Sequence, residues 1–375
     1  MFGVLCTAQS VSQGVTASSV IISMTVFTLL YAALAVIAGW LMIRHVRDGP
    51  RGYLPAQHGS PVSRERGGRH GRPARDVTDA LTLAHLLDFD STYGRIGAKV
   101  EYSAGSITVD GAPIRVLCSP DPSTIDWGEL GVDIVIESTG KFRARDDAAR
   151  HLKSGARKVL LSSPGKNADL TVVVGVNDGE YDPQRHDVIS NASCTTNCVA
   201  PMAKVLNDSF GIVRGFMTTV HAYTGDQMLL DGPHKDLRRA RSAAVSMVPT
   251  TTGAAKATGQ VIPELAGRLD GVAVRVPVED GSLTDLTVVL ARDVTATEVN
   301  EAFEQASAGR LNGILRYSTD PLVSRDIIGD TASCVFDSGL SQASGSLAKV
   351  FGWYDNEWGY TCRLADLAGI VGTQL

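Results

Sequence analysis

The stretch that decides the fold is Val132-Asp133-Ile134-Val135-Ile136-Glu137, running into Ser138-Thr139-Gly140. The first six residues read as a strand. The last three read as a loop of the kind that meets a cofactor at a strand's C-terminal edge. Working outward, Ile114-Arg115-Val116-Leu117 upstream is another strand. Downstream, Asp146 to Ser154 reads as a short helix and Lys158-Val159-Leu160-Leu161 as the next strand. Strand and helix in alternation mark a parallel α/β sheet. Further on, Gly215 to Tyr223, Val272 to Val278 and Leu286 to Arg292 predict longer strands, suited to a second domain with a more open, partly antiparallel sheet.

At 375 residues the chain has room for two domains and a sizeable core. Charged residues make up 20% and hydrophobic residues 44%, ordinary values for a folded soluble protein. A net charge of -5 argues against a nucleic-acid partner, which calls for a basic excess. The six cysteines, Cys6, Cys118, Cys194, Cys198, Cys334 and Cys362, show no zinc or disulfide spacing, which favours a reducing compartment.

The first quarter differs from the rest. Val20 to Ile43 is a run of 24 residues without charge, and a bilayer core needs roughly 20 in a helix. The run lacks the basic flank of a signal peptide and is too long for one. It therefore predicts a hydrophobic, membrane-spanning helix. Arg44, Arg47 and Arg51 follow it and no Lys or Arg precedes it, which would turn its C-terminal side to the cytoplasm. Residues 1–50, from Gly3-Val4-Leu5-Cys6 through Thr25-Val26-Phe27-Thr28 to Arg47-Asp48-Gly49-Pro50, resemble the last transmembrane helix and tail of cytochrome bd oxidase subunit I. A lone terminal helix carries no haem or quinol chemistry, so no oxidase function follows. Residues 51–75 are rich in Arg, Gly and Pro and predict a disordered linker.

The chemical centre is Asn191-Ala192-Ser193-Cys194-Thr195-Thr196-Asn197-Cys198, which opens a helix running on through Leu206. A cysteine at a helix start faces unpaired N–H groups and the positive end of the dipole. The expectation is a thiol pKa below the free value of about 8.5. An isolated cysteine is most often an inert core residue, but Ser193, Thr195 and Thr196 are too polar for a core turn. Cys198 reads as structural, since a metal site would need more ligands than are visible. Thr218-Thr219-Val220-His221-Ala222-Tyr223-Thr224 places His221 near the end of an apolar strand. Alone it would read as structural; beside a helix-start cysteine it becomes a candidate base.

Six blocks then share one resemblance. They are the block around Cys194, His221-Ala222-Tyr223-Thr224, Asp236-Leu237-Arg238-Arg239-Ala240-Arg241, Thr252-Gly253-Ala254-Ala255-Lys256-Ala257, Arg275-Val276-Pro277, and Trp353-Tyr354-Asp355-Asn356-Glu357-Trp358-Gly359-Tyr360. In order and spacing they resemble phosphorylating glyceraldehyde-3-phosphate dehydrogenase over residues 76–375. The resemblance implies a Rossmann-type NAD domain (76–193 and 356–375) and an α+β catalytic domain (194–355) with a mixed sheet. It implies oxidation of glyceraldehyde 3-phosphate with NAD and inorganic phosphate, through a thioester on Cys194 with His221 as base. Thr224 and Arg275 would hold the substrate phosphate. Ser193, Thr195, Thr252 and Gly253 would hold the attacking phosphate, with Arg239 in a bordering loop. Asn356, Ser162 and Asp76 would contact NAD at its carboxamide, ribose side and adenosine ribose. The resemblance also implies a homotetramer, with the loop from Asp226 to Arg241 buried between subunits, and a cytoplasmic catalytic domain, membrane-anchored if residues 20–43 insert.

One part of that pattern is missing. The family opens with a strand, a Gly-x-Gly-x-x-Gly turn and a helix, which let the backbone approach the pyrophosphate. Here Gly94-Arg95-Ile96-Gly97 is only a Gly-x-x-Gly in what reads as a loop, and the strand expected before Asp76 is replaced by the linker. The expectation is a Rossmann sheet lacking its central strand beside an intact catalytic domain. A hybrid reading frame is the simplest origin: an oxidase tail, an out-of-frame linker, then the dehydrogenase in frame from about Asp76. The competing expectations are a crippled, membrane-tethered homologue and an NAD-independent thiol acyl chemistry at Cys194.

Overall fold

The computed structural model describes the backbone of residues 72–76 and all of residues 79–375. The apolar run 20–43 and most of the linker, with the membrane helix and disorder expected there, lie outside the described residues. Among the described residues no helix is long and apolar enough to cross a membrane.

The first part of the fold comprises β1 (Arg72–Asp76), α1 (Ala80–Asp88), β2 (Phe89–Asp90), β3 (Gly94–Arg95), β4 (Val100–Ser103), β5 (Ser106–Val109), β6 (Ala112–Cys118) and β7 (Ile134–Glu137). After these come α2 (Arg145–Ala148), α3 (Arg150–Lys153), β8 (Lys158–Leu161), β9 (Leu170–Thr171) and β10 (Val188–Ser190). The helix expected over 146–154 is thus two short pieces. The segment expected to loop through Gly94 and Gly97 instead makes a small β2–β3 hairpin, with both glycines at positive φ.

These strands form two larger four-stranded sheets rather than one. Their orders are β1-β6-β5-β4 and β7-β8-β10-β9. β1 runs parallel to β6, and β7, β8, β10 and β9 are parallel throughout. A doubly wound sheet has the order 3-2-1-4-5-6. β6, β1, β7, β8 and β10 occupy its third, second, fourth, fifth and sixth places. The first place, between β1 and β7, is filled by no described residue, and there the sheet divides. Leu117 of β6 still packs against the cluster of Ile125, Trp127, Val135 and Ala156, so the halves share a small core.

β1 corrects one expectation. The strand before Asp76 is not lost: Arg72 to Asp76 pair with Ile114 to Cys118. Nothing in Arg72-Pro73-Ala74-Arg75 favours a strand, but backbone pairing to β6 overrides weak β-propensity. Pro73 is tolerated because β1 is an edge among the described strands.

The second part contains α4 (Cys194–Phe210), β11 (Ile212–Ala222), β12 (Val248–Thr251), α5 (Ala254–Val261), β13 (Leu269–Val276) and β14 (Ser282–Leu290). It continues with α6 (Ala296–Ala308), β15 (Leu315–Ser318), β16 (Cys334–Asp337), β17 (Gln342–Ser344), β18 (Leu347–Tyr354) and α7 (Trp358–Gly372). One continuous eight-stranded sheet runs β12-β13-β11-β14-β18-β16-β15, with β17 also on β18. It is mixed, as expected: β11 is parallel to β13 but antiparallel to β14, and β18 is antiparallel to β14 and β16. β14 alternates buried and half-buried residues along its length, the mark of a strand with one face on a core. Onto that face packs α4 through Cys198, Met202, Val205 and Leu206, meeting Met217, Leu286, Val350 and Phe336. Phe303 of α6 stacks on Phe336 at 3.8 Å between ring centres.

Candidate active site

Cys194 is the first residue of α4 because Ser193 caps the helix. The Ser193 Oγ accepts from the Thr196 N–H at 3.0 Å, which fixes the start of the first turn. Asn197 Nδ2 donates back to the carbonyls of Asn191 (2.8 Å) and Ser193 (3.0 Å). The turn from β10 into α4 is tight enough to put buried Ala192 at φ 56°, a left-handed conformation costing a non-glycine residue about 1–2 kcal/mol. That strain is repaid by packing and aims Cys194 at the end of β11.

His221 is the penultimate residue of β11, and its Nε2 lies 3.5 Å from the Cys194 Sγ. The ring's other nitrogen, Nδ1, is 2.7 Å from the Ala222 carbonyl oxygen. A carbonyl only accepts, so Nδ1 carries the proton and Nε2 offers a lone pair to the thiol. Buried Tyr354 of β18 meets the ring edge-on at 5.9 Å, and its hydroxyl bonds Thr195 Oγ1 (2.9 Å) and Thr219 Oγ1 (2.8 Å). Tyr354 thus braces both catalytic elements, a role that sequence reasoning missed because nothing marks it off from a core aromatic. The Thr195 hydroxyl is committed to this contact.

The electrostatics correct one expectation. Burial pushes the Cys194 thiol up, not down, and it outweighs the opposing Thr195 N–H bond and Arg275 charge. Desolvation of a thiolate here exceeds what the helix start supplies. His221 is pushed down to about 4, first by burial and then by Arg275. At neutral pH the pair is a thiol facing a neutral imidazole, and the proton moves as the sulfur attacks.

Arg275 and Thr224 come together as expected. Arg275 stands beside His221 in the β11–β13 register, and its Nη1 donates to Thr224 Oγ1 at 2.6 Å. Its buried Nε finds no partner among the described residues, a donor left for a ligand. Gly253 sits at the start of α5, which packs on α4, and Thr252 Oγ1 accepts from the Ala254 N–H at 3.2 Å. Arg239 is held elsewhere: its Nε donates to Thr250 Oγ1 (2.9 Å) and its Nη1 pairs with Asp226 at 2.5 Å.

On the cofactor side, Asn356 follows β18. Its side-chain oxygen accepts from Ser282 Oγ at 2.6 Å and its N–H donates to Asp280 at 3.2 Å. Asp280 and Asp355, both fully buried, share the Tyr93 hydroxyl at 2.8 and 2.9 Å, a network without a sequence motif. Ser162 lies at the end of β8, where its N–H donates to the Glu137 carbonyl at 3.1 Å. Asp76 ends β1; its side chain is outside the described residues. Among the described residues no group of three or more His, Cys, Asp or Glu could hold a metal ion.

The comparisons with known proteins bear on this geometry directly. Residues 193–356 match the family model for the glyceraldehyde 3-phosphate dehydrogenase C-terminal domain, and residues 73–145 match the model for its NAD binding domain. The chain belongs to the glyceraldehyde-3-phosphate dehydrogenase family. It is similar to a glyceraldehyde-3-phosphate dehydrogenase of Streptomyces coelicolor, 60% identical over 302 residues, covering 80% of this chain and 90% of that protein. A glyceraldehyde-3-phosphate dehydrogenase 2 of Streptomyces avermitilis is 58% identical over 301 residues, and the Geobacillus stearothermophilus dehydrogenase is 56% identical over 300, with the same coverage of both chains. Residues 1–50 match cytochrome bd terminal oxidase subunit I. The dehydrogenase family's cofactor is NAD; of the residues expected beside it, Asn356 is held by Ser282 and Asp280, and Ser162 stands at a strand's C-terminal edge. No described residue supplies the glycine-rich turn for the pyrophosphate.

Proposed function

We propose that the chain oxidises glyceraldehyde 3-phosphate with NAD and inorganic phosphate to 1,3-bisphosphoglycerate, a glycolytic reaction, with Cys194 as nucleophile and His221 as base. The 3.5 Å approach of Sγ to an imidazole nitrogen whose tautomer is fixed by Ala222 carries this reading. The sulfur adds to the aldehyde carbon, and its proton passes to Nε2 and on to the new alkoxide oxygen, giving a thiohemiacetal. NAD, when bound, supplies the hydride acceptor. As the hydride leaves, the hemiacetal hydroxyl gives its proton to His221 Nε2 and a thioester remains on Cys194. Inorganic phosphate then attacks the thioester carbonyl, Cys194 departs as thiolate, and the acyl phosphate is released.

In this reading Arg275 and Thr224 take the substrate phosphate, supported by the unpaired Arg275 Nε. Ser193, the Thr195 N–H, Thr252 and Gly253 border the attacking phosphate. Arg239 would have to leave Asp226 to join them. Asn356, Ser162 and Asp76 serve NAD. The domains divide near residue 193, with α7 returning to the NAD side. A homotetramer is supported by Leu229, Leu230, Leu237, Val245 and Met247, which expose 74–82% of their surface on the loop after β11. We place the catalytic domain in the cytoplasm.

The test is NADH formation by the full chain from glyceraldehyde 3-phosphate, NAD and phosphate. Cys194→Ser should lower turnover at least about a thousandfold while circular dichroism is retained. Turnover that survives this change sinks the proposal. Normal alkylation of Cys194 without any NADH would favour instead a crippled homologue with a reactive thiol, or NAD-independent acyl chemistry at that thiol.

A further inference from the structure

Beneath the Ser138–Gly140 turn lies a buried chain of three side chains that the reaction does not use. Trp127, His151 and Glu137 are 3%, 1% and 4% exposed. Trp127 Nε1 donates to His151 Nδ1 at 3.1 Å, and His151 Nε2 stands 3.0 Å from Glu137 Oε2. The other carboxylate oxygen, Oε1, accepts from the Thr139 N–H at 2.8 Å and from the Thr139 hydroxyl. Thr139 Oγ1 in turn accepts from the Lys141 N–H at 3.2 Å.

The direction of every bond is forced. An indole N–H only donates, so His151 Nδ1 must be bare. The ring's proton therefore sits on Nε2 and points at Glu137. A carboxylate only accepts, so both its oxygens are consistent with an anion. Burial acts to raise the Glu137 carboxyl, but the His151 and Thr139 bonds outweigh it and hold it below the usual range.

The turn so fixed is exposed and sits at the C-terminal end of β7, beside the divide in the sheet. In open α/β sheets that edge, at the reversal of strand order, is where a dinucleotide lies. The Glu137 carbonyl also holds the Ser162 N–H, so the ends of β7 and β8 are set by one residue. We infer that Trp127, His151 and Glu137 are positioning residues, a one-way hydrogen-bond relay that shapes the Ser138–Gly140 turn to receive NAD. The inference rests on the NAD reading above. It assigns to this turn the anchoring that the missing glycine-rich turn would otherwise share.

The directionality supplies the test. In Glu137→Gln, the amide oxygen must stay on the Thr139 N–H, so the NH2 faces His151. Nε2 must then be bare, and the proton shifts to Nδ1, where it meets the Trp127 N–H donor to donor. Adding Trp127→Phe removes that conflict. NAD titration and steady-state kinetics on the full chain should show about a tenfold rise in Kd and in KM for NAD for Glu137→Gln, with kcat moving much less. Trp127→Phe alone should raise Kd about twofold to threefold. The double variant should bind NAD more tightly than Glu137→Gln does. A double variant no better than the single one overturns the relay. So does a 15N spectrum of the wild-type chain showing His151 doubly protonated or protonated at Nδ1, a readout that does not depend on any variant folding. Absence of NAD binding by the wild type removes the cofactor role while the spectrum still decides the relay, so the two failures are separable.

Discussion

The two halves of the molecule handle the same physical problem differently. The catalytic half closes its backbone into one eight-stranded sheet, with α4 sealing the face behind the nucleophile. The NAD half is two four-stranded sheets with no described residue in the place between β1 and β7; its own clusters are small, while Leu160, Val172 and Ile189 pack into the catalytic half's core. Ile136 of β7 is 43% exposed, whereas Leu160 and Ile189, on the neighbouring β8 and β10, are wholly buried. His221 sits on the continuous sheet, and Cys194 starts the helix that packs on it. The residues proposed for NAD are spread over both parts: Asp76 ends β1, Ser162 follows β8 and Asn356 follows β18. A thiol and an imidazole can therefore be fully organised in a chain whose described residues supply no glycine-rich turn.

The largest expected effect separates chemistry from cofactor binding. His221→Asn should cost about a hundredfold to ten-thousandfold in kcat, the usual worth of a general base. Its effect on NAD affinity should be small, since the partners of His221 among the described residues are Cys194, Ala222 and Tyr354. Stopped-flow kinetics beside an NAD titration would show it. A parallel collapse of NAD binding would mean that the halves are not independent.

A pair of packing changes probes the comparison next. Phe303 is wholly buried and stacked on Phe336, so Phe303→Ala should cost about 3–5 kcal/mol in urea unfolding. Ile136→Thr, on the half-open β7, should fall within about 0.5–1 kcal/mol. Comparable losses at the two sites would show that the place beside β7 is filled in solution.

Much of this was legible in the sequence, and the failures have physical causes. The strand at 158–161 is legible with its bounds, and the run from Asn191 to Cys198 is legible as the opening of α4, since buried strands and capped helix starts are locally encoded. The helix proved four residues longer than expected at its C-terminal end, through Phe210. The Cys194–His221 pair was readable because a helix start and a strand end each limit where a side chain can point. β1 was not readable: Arg72-Pro73-Ala74-Arg75 carries no strand signal, and pairing to β6 alone makes it one. The sign of the Cys194 shift was misread because a sequence shows the helix start but not the burial that opposes it. Tyr93, Asp280 and Asp355 were invisible because residues 93, 280 and 355 meet only after folding.

That last cluster gives the smallest effect and joins the halves. Tyr93, from the turn between β2 and β3, sets its hydroxyl between two carboxyl groups that flank the catalytic sheet, within hydrogen-bond distance of both. Burial, with the negative charge of Asp355, pushes Asp280 up to about 6, although the Tyr93 bond works against it. An unfolded aspartate titrates near 3.9. Between about pH 4 and 6 the native state therefore holds a proton that the unfolded chain has lost. Stability should fall as pH rises through that window, by up to about 1.4 kcal/mol per pH unit, and this contribution should level off above it. Asp280→Asn removes the titration yet keeps an oxygen for the Gly281 and Asn356 N–H groups. Its urea midpoint should thus change less between pH 4.5 and 7 than that of the wild type. Glu357, also raised by burial and by Asp355, titrates in the same sense and remains, so the slope should flatten without vanishing. An unaltered slope would show that Asp280 is already ionised at pH 4.5, and that the link between the halves is a charged pair bridged by Tyr93.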